Sequence, residues 1–425
     1  MTRSLARLRW PALLLLAPPA AAVVYVAMFA TATPLTDEWI MLGAAVDLHK
    51  HGWSLDALRS IQIQHQQHLL IVPYLIYFPL EELFHYDTRA LVGVTLICFA
   101  VQFAVFRFHL VKDDLAAFPI ALLLFSPSHY MEFHWGFQFT MALSVTFPVV
   151  ALAVLDHIGD DITRVNIRRY VIGTVLLVFG ALSSAAGYFG FFSAALLIAL
   201  KPLPARIKMV LNLSWVLIMA LIYFGIARPQ AAEHTIGARQ VLYVLTALGS
   251  IIWGSPVGIF KFGVDRNSLT GLALILALIL VLARVRLRLS SLALPIALIA
   301  LGLGPIAASG ASRPYLGNWH LQLVLPAVCG IYAAAYIAWR RDRSLFSGAL
   351  LASVVLLLLL NLNSYRLGFT VFGPGYRNYV SQIEHYILSY TPSSEKPFPH
   401  PGSRDIDAEM IQFLRDKHHP LFAAH

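Results

Sequence analysis

The chain has 425 residues, of which 58% are apolar and only 12% are charged. Soluble globular domains carry about 25% charged residues, so the composition excludes a soluble enzyme, a disordered protein and a disulfide scaffold. The formal net charge of +9 indicates basic loops held against an anionic membrane surface, and not nucleic-acid binding. We therefore expect an all-α, polytopic transmembrane helical bundle.

The first apolar run covers residues 10–30 and follows Arg3, Arg7 and Arg9. Its length of about 20 residues fits a membrane span better than the shorter apolar core of a signal peptide. We predict an uncleaved first helix whose N-terminus faces the cytoplasm, because basic residues flank spans on that side. A cleaved signal peptide is the alternative.

Two later apolar runs, 69–80 and 241–260, decide the topology. Several of the short loops between the other apolar runs are basic, and basic loops favour the cytoplasmic side. All of these basic loops face the cytoplasm only if neither 69–80 nor 241–260 crosses the membrane. Prolines interrupt the first run, and glycines and a proline interrupt the second. We therefore expect an interfacial or re-entrant helix at 69–80 and a broken or surface helix at 241–260. The remaining runs then give eleven spans, with the N-terminus inside and the C-terminus outside: 10–30, 89–107, 115–128, 138–156, 170–184, 188–200, 209–227, 269–284, 292–308, 321–338 and 345–361.

This topology divides the chain into two parts. Residues 1–361 form a transmembrane domain, with a long first outer loop at 32–88 that carries interfacial helices and a short second outer loop at 128–137. Residues 362–425 form a polar extracytoplasmic tail, in which prolines mark a linker.

Two adjacent carboxylates, Asp37 and Glu38, come immediately after the first span. One interpretation is an ordinary helix start, with Thr36 or Asp37 as the N-cap and Trp39 in the aromatic belt of the membrane surface. The other is a general base that faces a substrate lying in the membrane plane.

The first outer loop also contains His65, Gln67 and His68 within a run of glutamines. Two histidines three residues apart could share a helix face and bind a metal ion. Because no third ligand is near in sequence and Gln is a poor ligand, we favour polar contacts to a sugar or a phosphate.

The second outer loop combines one carboxylate, Glu132, with His134, Trp135 and Gln138. Aromatic rings beside a carboxylate resemble a surface on which sugar C–H groups can pack. An aromatic girdle with a solvated Glu is the alternative.

A third segment on the predicted outer face contains Arg313, Tyr315 and His320. The guanidinium of Arg313 could grip a phosphate through two hydrogen bonds, with Tyr315 or His320 contacting a further oxygen. A single Arg that snorkels to lipid headgroups is the alternative.

These three segments together resemble the GT-C superfamily of polytopic glycosyltransferases, which includes protein O-mannosyltransferases and aminoarabinose transferases. The acidic pair after the first helix, the long first outer loop and the acidic second outer loop carry the resemblance. Residues 132–138 look like a Glu…Trp-Gly-Phe-Gln motif of little-characterised bacterial members. Where such relatives have Asn-Glu-His-Arg, this chain has Gln66-Gln67-His68-Leu69, so that only the histidine is shared.

The resemblance implies transfer of a sugar from a polyprenyl-phosphate donor to a hydroxyl acceptor, with inversion at the anomeric carbon. Asp37 would deprotonate or bind the hydroxyl, Glu38 would support it, and Glu132 would orient the acceptor. No cofactor is firmly implied; if Mg²⁺ or Mn²⁺ is used, Asp37 and Glu132 would hold it. Arg313 would neutralise the leaving lipid phosphate.

The resemblance also implies partners and a location. The acceptor would be a saccharide, a lipid or a protein, membrane lipids would surround the chain, and no nucleic acid would bind. The enzyme would lie in the cytoplasmic (inner) membrane with its active face outside.

Two other functions fit a chain with many spans. A transporter or flippase of lipid-linked saccharides is the first, although its spans would usually bury ionisable residues, which are scarce here. A non-catalytic membrane assembly subunit is the second, and its function would survive the loss of one carboxylate.

Overall fold

The computed structural model describes residues 10–52, 54, 64–65, 68–159, 163–226, 237–255, 259–260, 263–284, 289–313, 315–390 and 408–423. Over these residues the chain is almost wholly helical, and short 3₁₀ or π segments extend several of the helices. The α-helices are, in chain order, α1 Trp10–Phe29, α2 Glu38–His51, α3 Ile71–Leu83, α4 Arg89–Val105, α5 Asp114–Leu124, α6 Phe139–Leu155, α7 Arg164–Ala181, α8 Tyr188–Leu200, α9 Ala205–Gly225, α10 Ala238–Trp253, α11 Arg266–Arg284, α12 Ala293–Ser312, α13 Leu321–Asp342, α14 Leu345–Leu359, α15 Leu362–Leu367, α16 Gly373–Ser389, α17 Ala408–Asp416 and α18 Pro420–Ala423.

Four two-residue strands form two small antiparallel sheets. Strands β1 (Gln64–His65) and β2 (His68–Leu69) make a hairpin in which His65 lies opposite His68. Strand β3 (Ile259–Phe260) pairs with β4 (Leu316–Gly317). The second sheet joins the segment after α10 to the segment before α13.

The chain is a multi-pass membrane protein, as its composition predicts. Within the described residues, seven helices are long and apolar enough to cross a membrane, and four shorter apolar helices accompany them. The helix α13 is the most enclosed of these, because its neighbours cover almost its whole length. A lipid-facing helix such as α9 buries little more than Trp215 and Ile222. The count of eleven spans stays a prediction.

The apolar run 241–260 is continuous at one glycine and interrupted at another. The helix α10 runs through Gly249 without a break and ends at Trp253, where its C-cap Gly254 has φ 66°. A Cβ atom on Gly249 would overlap the backbone carbonyl of Asn267, so this glycine permits close packing of α10 against α11 instead of breaking the helix.

The helix α10 nevertheless keeps both ends near segments that we predict on the outer face. Its residue Gln240 donates a hydrogen bond to the carbonyl of Ala307, near the end of α12. The position of a Cβ atom on Gly254 would lie 3.1 Å from the carbonyl oxygen of Ser128 in the second outer loop.

The first outer loop and the C-terminal tail pack together into a second apolar core. The helix α2 contributes Trp39 and Leu48 to it, α16 contributes Ile387, and α17 contributes Leu414. The ion pair between Lys417 and Glu82, at 2.6 Å, joins the last segment to α3. The described part of the predicted tail therefore packs on the first outer loop.

The tail also fixes the backbone that precedes the acidic pair. The N–H of Leu421 donates to Nδ1 of His419 at 3.1 Å, which leaves the proton on Nε2. That nitrogen donates to the carbonyl of Ala32 at 3.0 Å. The helical run Leu345–Ser389 reaches this region through a turn at residues 360–361.

Candidate functional site

Asp37 stands at the start of α2, immediately after Thr36, whose φ of 42° is unusual for a branched residue. Its side chain makes no capping hydrogen bond, so the ordinary N-cap interpretation finds no support in its contacts. The carboxylate is 23% exposed, and its Oδ1 lies 3.6 Å from Nε2 of His65. Asp37 thus faces the β1–β2 hairpin.

Glu38, the next residue, is almost fully buried. Its Oε2 accepts from the N–H of Leu35 at 2.5 Å, and its Oε1 accepts from the N–H of Phe137 at 2.9 Å. Burial raises the pKa of Glu38 to about 8, although these backbone hydrogen bonds oppose the shift. The residue joins the first outer loop to the second.

Hydrogen bonds from the protein to Nδ1 of His68 define the tautomer of its ring. The N–H of Ala185 donates to its Nδ1 at 3.3 Å, so this nitrogen is an acceptor, and the hydroxyl of Ser184 donates to it at 2.8 Å. The proton of the neutral ring is therefore on Nε2. His68 can offer an N–H to a ligand.

His320 has the same arrangement. The N–H of Gly317 donates to its Nδ1 at 3.2 Å, which again places the proton on Nε2. That nitrogen is buried and has no hydrogen-bond partner among the described residues. A buried N–H without a partner is unusual, and a bound acceptor would satisfy it.

These two imidazoles and Arg313 line one cavity of about 150 Å³. Three hydroxyl-bearing residues, Ser184, Ser309 and Ser312, lie in the same wall. The arrangement offers two neutral N–H groups and one guanidinium, all of them hydrogen-bond donors. No carboxylate is among the described residues that line the cavity. Its chemistry suits an anion with several acceptor oxygens, such as a phosphate.

Asp37 lies close enough to this cavity to act on its charges. Burial is the main cause that lowers the pKa of His68 to about 4; the charges of Arg313 and His65 act in the same direction, and Asp37 opposes them. His68 is therefore neutral at physiological pH and keeps the tautomer described above. The structure brings together Asp37, His65, His68, Arg313 and His320 from distant parts of the sequence.

Tyr315 does not line the cavity. Its side chain is 39% exposed, and its ring lies 6.1 Å from that of Trp319. Gln67 lies outside the described residues.

Glu132 is fully buried, and both of its carboxylate oxygens lack a hydrogen-bond partner among the described residues. Burial raises the pKa of Glu132 well above its usual value, although the side chain of Gln322 opposes this. The amide of Gln322 also reaches Oε1 of Gln138 at 3.3 Å. The structure thus places Glu132 and Gln138 in a buried polar group that does not line the cavity.

The aromatic residues of the second outer loop are also inside the protein. His134 shares a hydrogen bond with the hydroxyl of Tyr25 at 2.9 Å, and burial lowers the pKa of His134 to about 3. Trp135 donates to the carbonyl of Leu35 at 3.2 Å and is 8% exposed. These two hydrogen bonds hold the second outer loop against α1 and against the segment before α2.

A metal site with three protein ligands is not formed by the described residues, because no three His, Cys, Asp or Glu side chains come together there. A divalent ion at Asp37 or Glu132 would have to take most of its ligands from substrate and water. Sequence reasoning missed Ser184, which orients His68; its only signal was a pair of serines between two apolar runs.

The fold is similar to those of two solved membrane proteins. ArnT from Cupriavidus metallidurans bound to undecaprenyl phosphate aligns with a TM-score of 0.52 at 14% identity, over 97% of this chain and 85% of that one. Its apo state aligns with a TM-score of 0.53 at 13% identity, over 95% and 84% of the two chains.

The second is the oligosaccharyltransferase of Archaeoglobus fulgidus in its apo form. It aligns with a TM-score of 0.53 at 11% identity, over 95% of this chain and 62% of that one. A likeness at this level of identity shows the fold, and the polytopic helical fold of the GT-C type predicted from the sequence is confirmed. No protein-family model matches the sequence, and no curated protein matches it.

Proposed function

We propose that this protein is a membrane glycosyltransferase that moves a sugar from a polyprenyl-phosphate donor to a hydroxyl acceptor. The observation that carries this proposal is the cavity lined by His68, Arg313 and His320. It offers three sets of N–H donors to an anion, and a carboxylate that could act as a base, Asp37, lies near it.

The donor set matches what departure of a lipid phosphate requires. As the bond between the anomeric carbon and the phosphate oxygen breaks, its electron pair passes to the phosphate, which gains negative charge. Donors that are already oriented toward that charge stabilise the transition state more than the bound donor. His68 and His320 are held in the required tautomer by backbone N–H groups at 3.3 and 3.2 Å.

Asp37 completes the proposed reaction. The acceptor oxygen attacks the anomeric carbon on the face opposite the phosphate, which inverts that centre, and its proton passes to the Asp37 carboxylate. Glu38 cannot share this role from its present position, because both of its oxygens accept backbone hydrogen bonds. We assign it to positioning of Asp37 and of the second outer loop.

The solved neighbour with undecaprenyl phosphate supports a lipid-phosphate donor, because that ligand has the chemistry of the leaving group. The basic connections predicted in the cytoplasm support an active face on the outside of the inner membrane. Glu132 lines no part of the cavity, so we propose no direct step for it.

The test is a transfer assay with purified protein in detergent and radiolabelled polyprenyl-phosphate sugars. We expect the label to move to water or to an added acceptor, with free polyprenyl phosphate as the other product. His68→Ala should lower the rate about 100- to 1,000-fold, the usual effect of losing one transition-state donor.

His51→Ala is the matched control, because His51 is an exposed histidine at the end of α2 in the same loop. It should transfer sugar at the normal rate. Binding of the lipid-linked sugar without any cleavage, in every variant, would overturn the enzyme proposal in favour of a transporter.

A further inference from the structure

A second well-formed cavity among the described residues lies away from the candidate site. It is a cleft of about 470 Å³ between the first turns of α7 and the first turns of α9. Its walls are mostly apolar and include Ile167, Val210 and Leu211. A cavity of this size is in the range that holds small-molecule or lipid ligands.

The cleft opens toward the surface that would face lipid. Its lining residues Ile167 and Val210 are 52% and 55% exposed, and the neighbouring Met209 is 63% exposed. In a membrane protein such apolar faces are covered by hydrocarbon chains, so the cleft is accessible to an acyl chain from the bilayer.

Among the described residues, the rim of the cleft is basic. Arg206 lines it directly, and Arg164 and Arg168 are exposed on the first turns of α7. The acidic residue described nearby, Asp156, lies 3.7 Å from Lys201 and is thus compensated. Both connections, 157–169 and 201–208, are predicted to face the cytoplasm, where the membrane surface carries anionic lipids.

Contacts between α7 and α9 shape the cleft. Tyr170, in its wall, shares a hydrogen bond with Ser214 at 2.5 Å and stacks on Trp215 at 5.7 Å. Trp215 in turn donates to the hydroxyl of Thr174 at 2.9 Å. These contacts fix α7 against α9 and keep the apolar walls apart.

We propose that this cleft binds one anionic phospholipid of the cytoplasmic leaflet. An acyl chain lies along Ile167, Val210 and Leu211, and the phosphate of the headgroup lies at Arg206. An apolar channel with a cationic rim fits a ligand that has a chain at one end and a negative charge at the other. A zwitterionic lipid with the same chains lacks the net charge that the rim selects.

The test compares lipids that differ only in headgroup. Purified protein in detergent is heated with phosphatidylglycerol, with phosphatidylcholine of the same chains, or with inorganic phosphate, and the unfolding temperature is followed by tryptophan fluorescence. We expect phosphatidylglycerol to raise this temperature by several degrees, because a ligand that binds only the folded state stabilises it. Phosphatidylcholine and phosphate should leave it unchanged.

Two variants localise the effect. Arg206→Ala removes the rim cation and Val210→Trp fills the cleft, and each should abolish most of the shift and the lipid adduct seen by native mass spectrometry. Arg341→Ala is the control, since Arg341 is an exposed cation at the end of α13, and it should keep the shift.

Equal stabilisation by both lipids, or equal loss of the shift in the Arg206 and Arg341 variants, would overturn the proposal. Stabilisation by phosphate alone would overturn it as well, because it would show an anion site without a lipid chain. These readouts do not depend on sugar transfer.

Discussion

The carboxylate of Glu38 accepts a hydrogen bond from the backbone N–H of Phe137, 99 positions further along the chain, at 2.9 Å. The bond is buried and joins the segment after the first helix to the segment before α6. Through this bond the Glu38 side chain holds the backbone of the second outer loop against the first.

Gly136 is required by this contact. A Cβ atom at this position would lie 2.5 Å from Oε1 of Glu38 and 3.0 Å from the carbonyl oxygen of Thr88. We expect Gly136→Ala to destabilise the protein by about 1–3 kcal/mol, as overpacking of a filled interior does. The midpoint of thermal unfolding in detergent measures this.

Gly93→Ala is the control for that substitution. Gly93 lies inside α4, and a Cβ atom there would have no neighbour within 4 Å. Alanine should stabilise the helix by roughly 0.5–1 kcal/mol. If both variants unfolded at the same temperature, the proposed role of Gly136 would be wrong.

Burial of Glu38 predicts that stability depends on pH. Its pKa is about 8 in the folded protein against 4.5 for the ordinary side chain, so the folded state binds the proton more tightly than the unfolded state. The resulting stabilisation is complete below about pH 4.5 and is lost as the pH rises through about 8. Glu38→Gln cannot titrate, so its unfolding temperature should fall less than that of the wild type between pH 5 and pH 9.

Measurements of turnover distinguish the positioning role proposed for Glu38 from the role of Asp37 as the base. If Glu38 only positions its neighbours, the Gln variant should retain measurable turnover at pH 6, where the wild-type carboxyl is largely protonated. Identical pH profiles of unfolding for the variant and the wild type would contradict the assignment of this titration to Glu38.

Asp37→Asn keeps the shape of the side chain and removes its basicity. We expect turnover to fall by roughly 10²–10⁴-fold, the usual effect of losing a general base, with little change in donor affinity. Asp47→Asn, on the same helix α2, is the control and should be fully active. Near-normal turnover of the Asp37 variant would show that Asp37 is not the base.

The sequence predicted the helical bundle because membrane spans are long apolar runs whose ends carry basic residues. It also identified His68, Arg313 and His320 separately, since polar groups at the ends of spans are costly unless they face a ligand. It could not show that these three line one cavity, because that depends on how α8, α12 and α13 pack.

Three other features could not be predicted from the sequence, because they too depend on how distant segments pack. Glu132 reads as a surface carboxylate, yet it is fully buried beside Gln322, a residue 190 positions later in the sequence. Gly249 reads as a helix breaker, yet its missing side chain lets α11 approach. His419 lies in a polar tail and holds the carbonyl of Ala32, a contact that no local pattern indicates.

Arg313 supplies the one fixed positive charge among the described residues that line the cavity. The phosphate of a lipid-linked sugar begins with about one negative charge and gains more as the glycosidic bond breaks. The guanidinium should therefore stabilise the transition state more strongly than the bound donor. Its planar group can contact two phosphate oxygens at once, which a lysine ammonium cannot do.

Arg313→Ala should lower kcat/KM about 100- to 1,000-fold, mostly through kcat, and Arg313→Lys should show a smaller defect because it keeps the charge and loses the paired hydrogen bonds. Arg377→Ala is the control, since Arg377 is an exposed cation of α16 and should leave both constants unchanged. Initial rates over a range of donor concentrations separate kcat from KM for each variant. An arginine that only contacts lipid headgroups predicts full activity with lysine and an effect of alanine on stability alone. A folded Ala variant with an unchanged kcat/KM would remove Arg313 from the site.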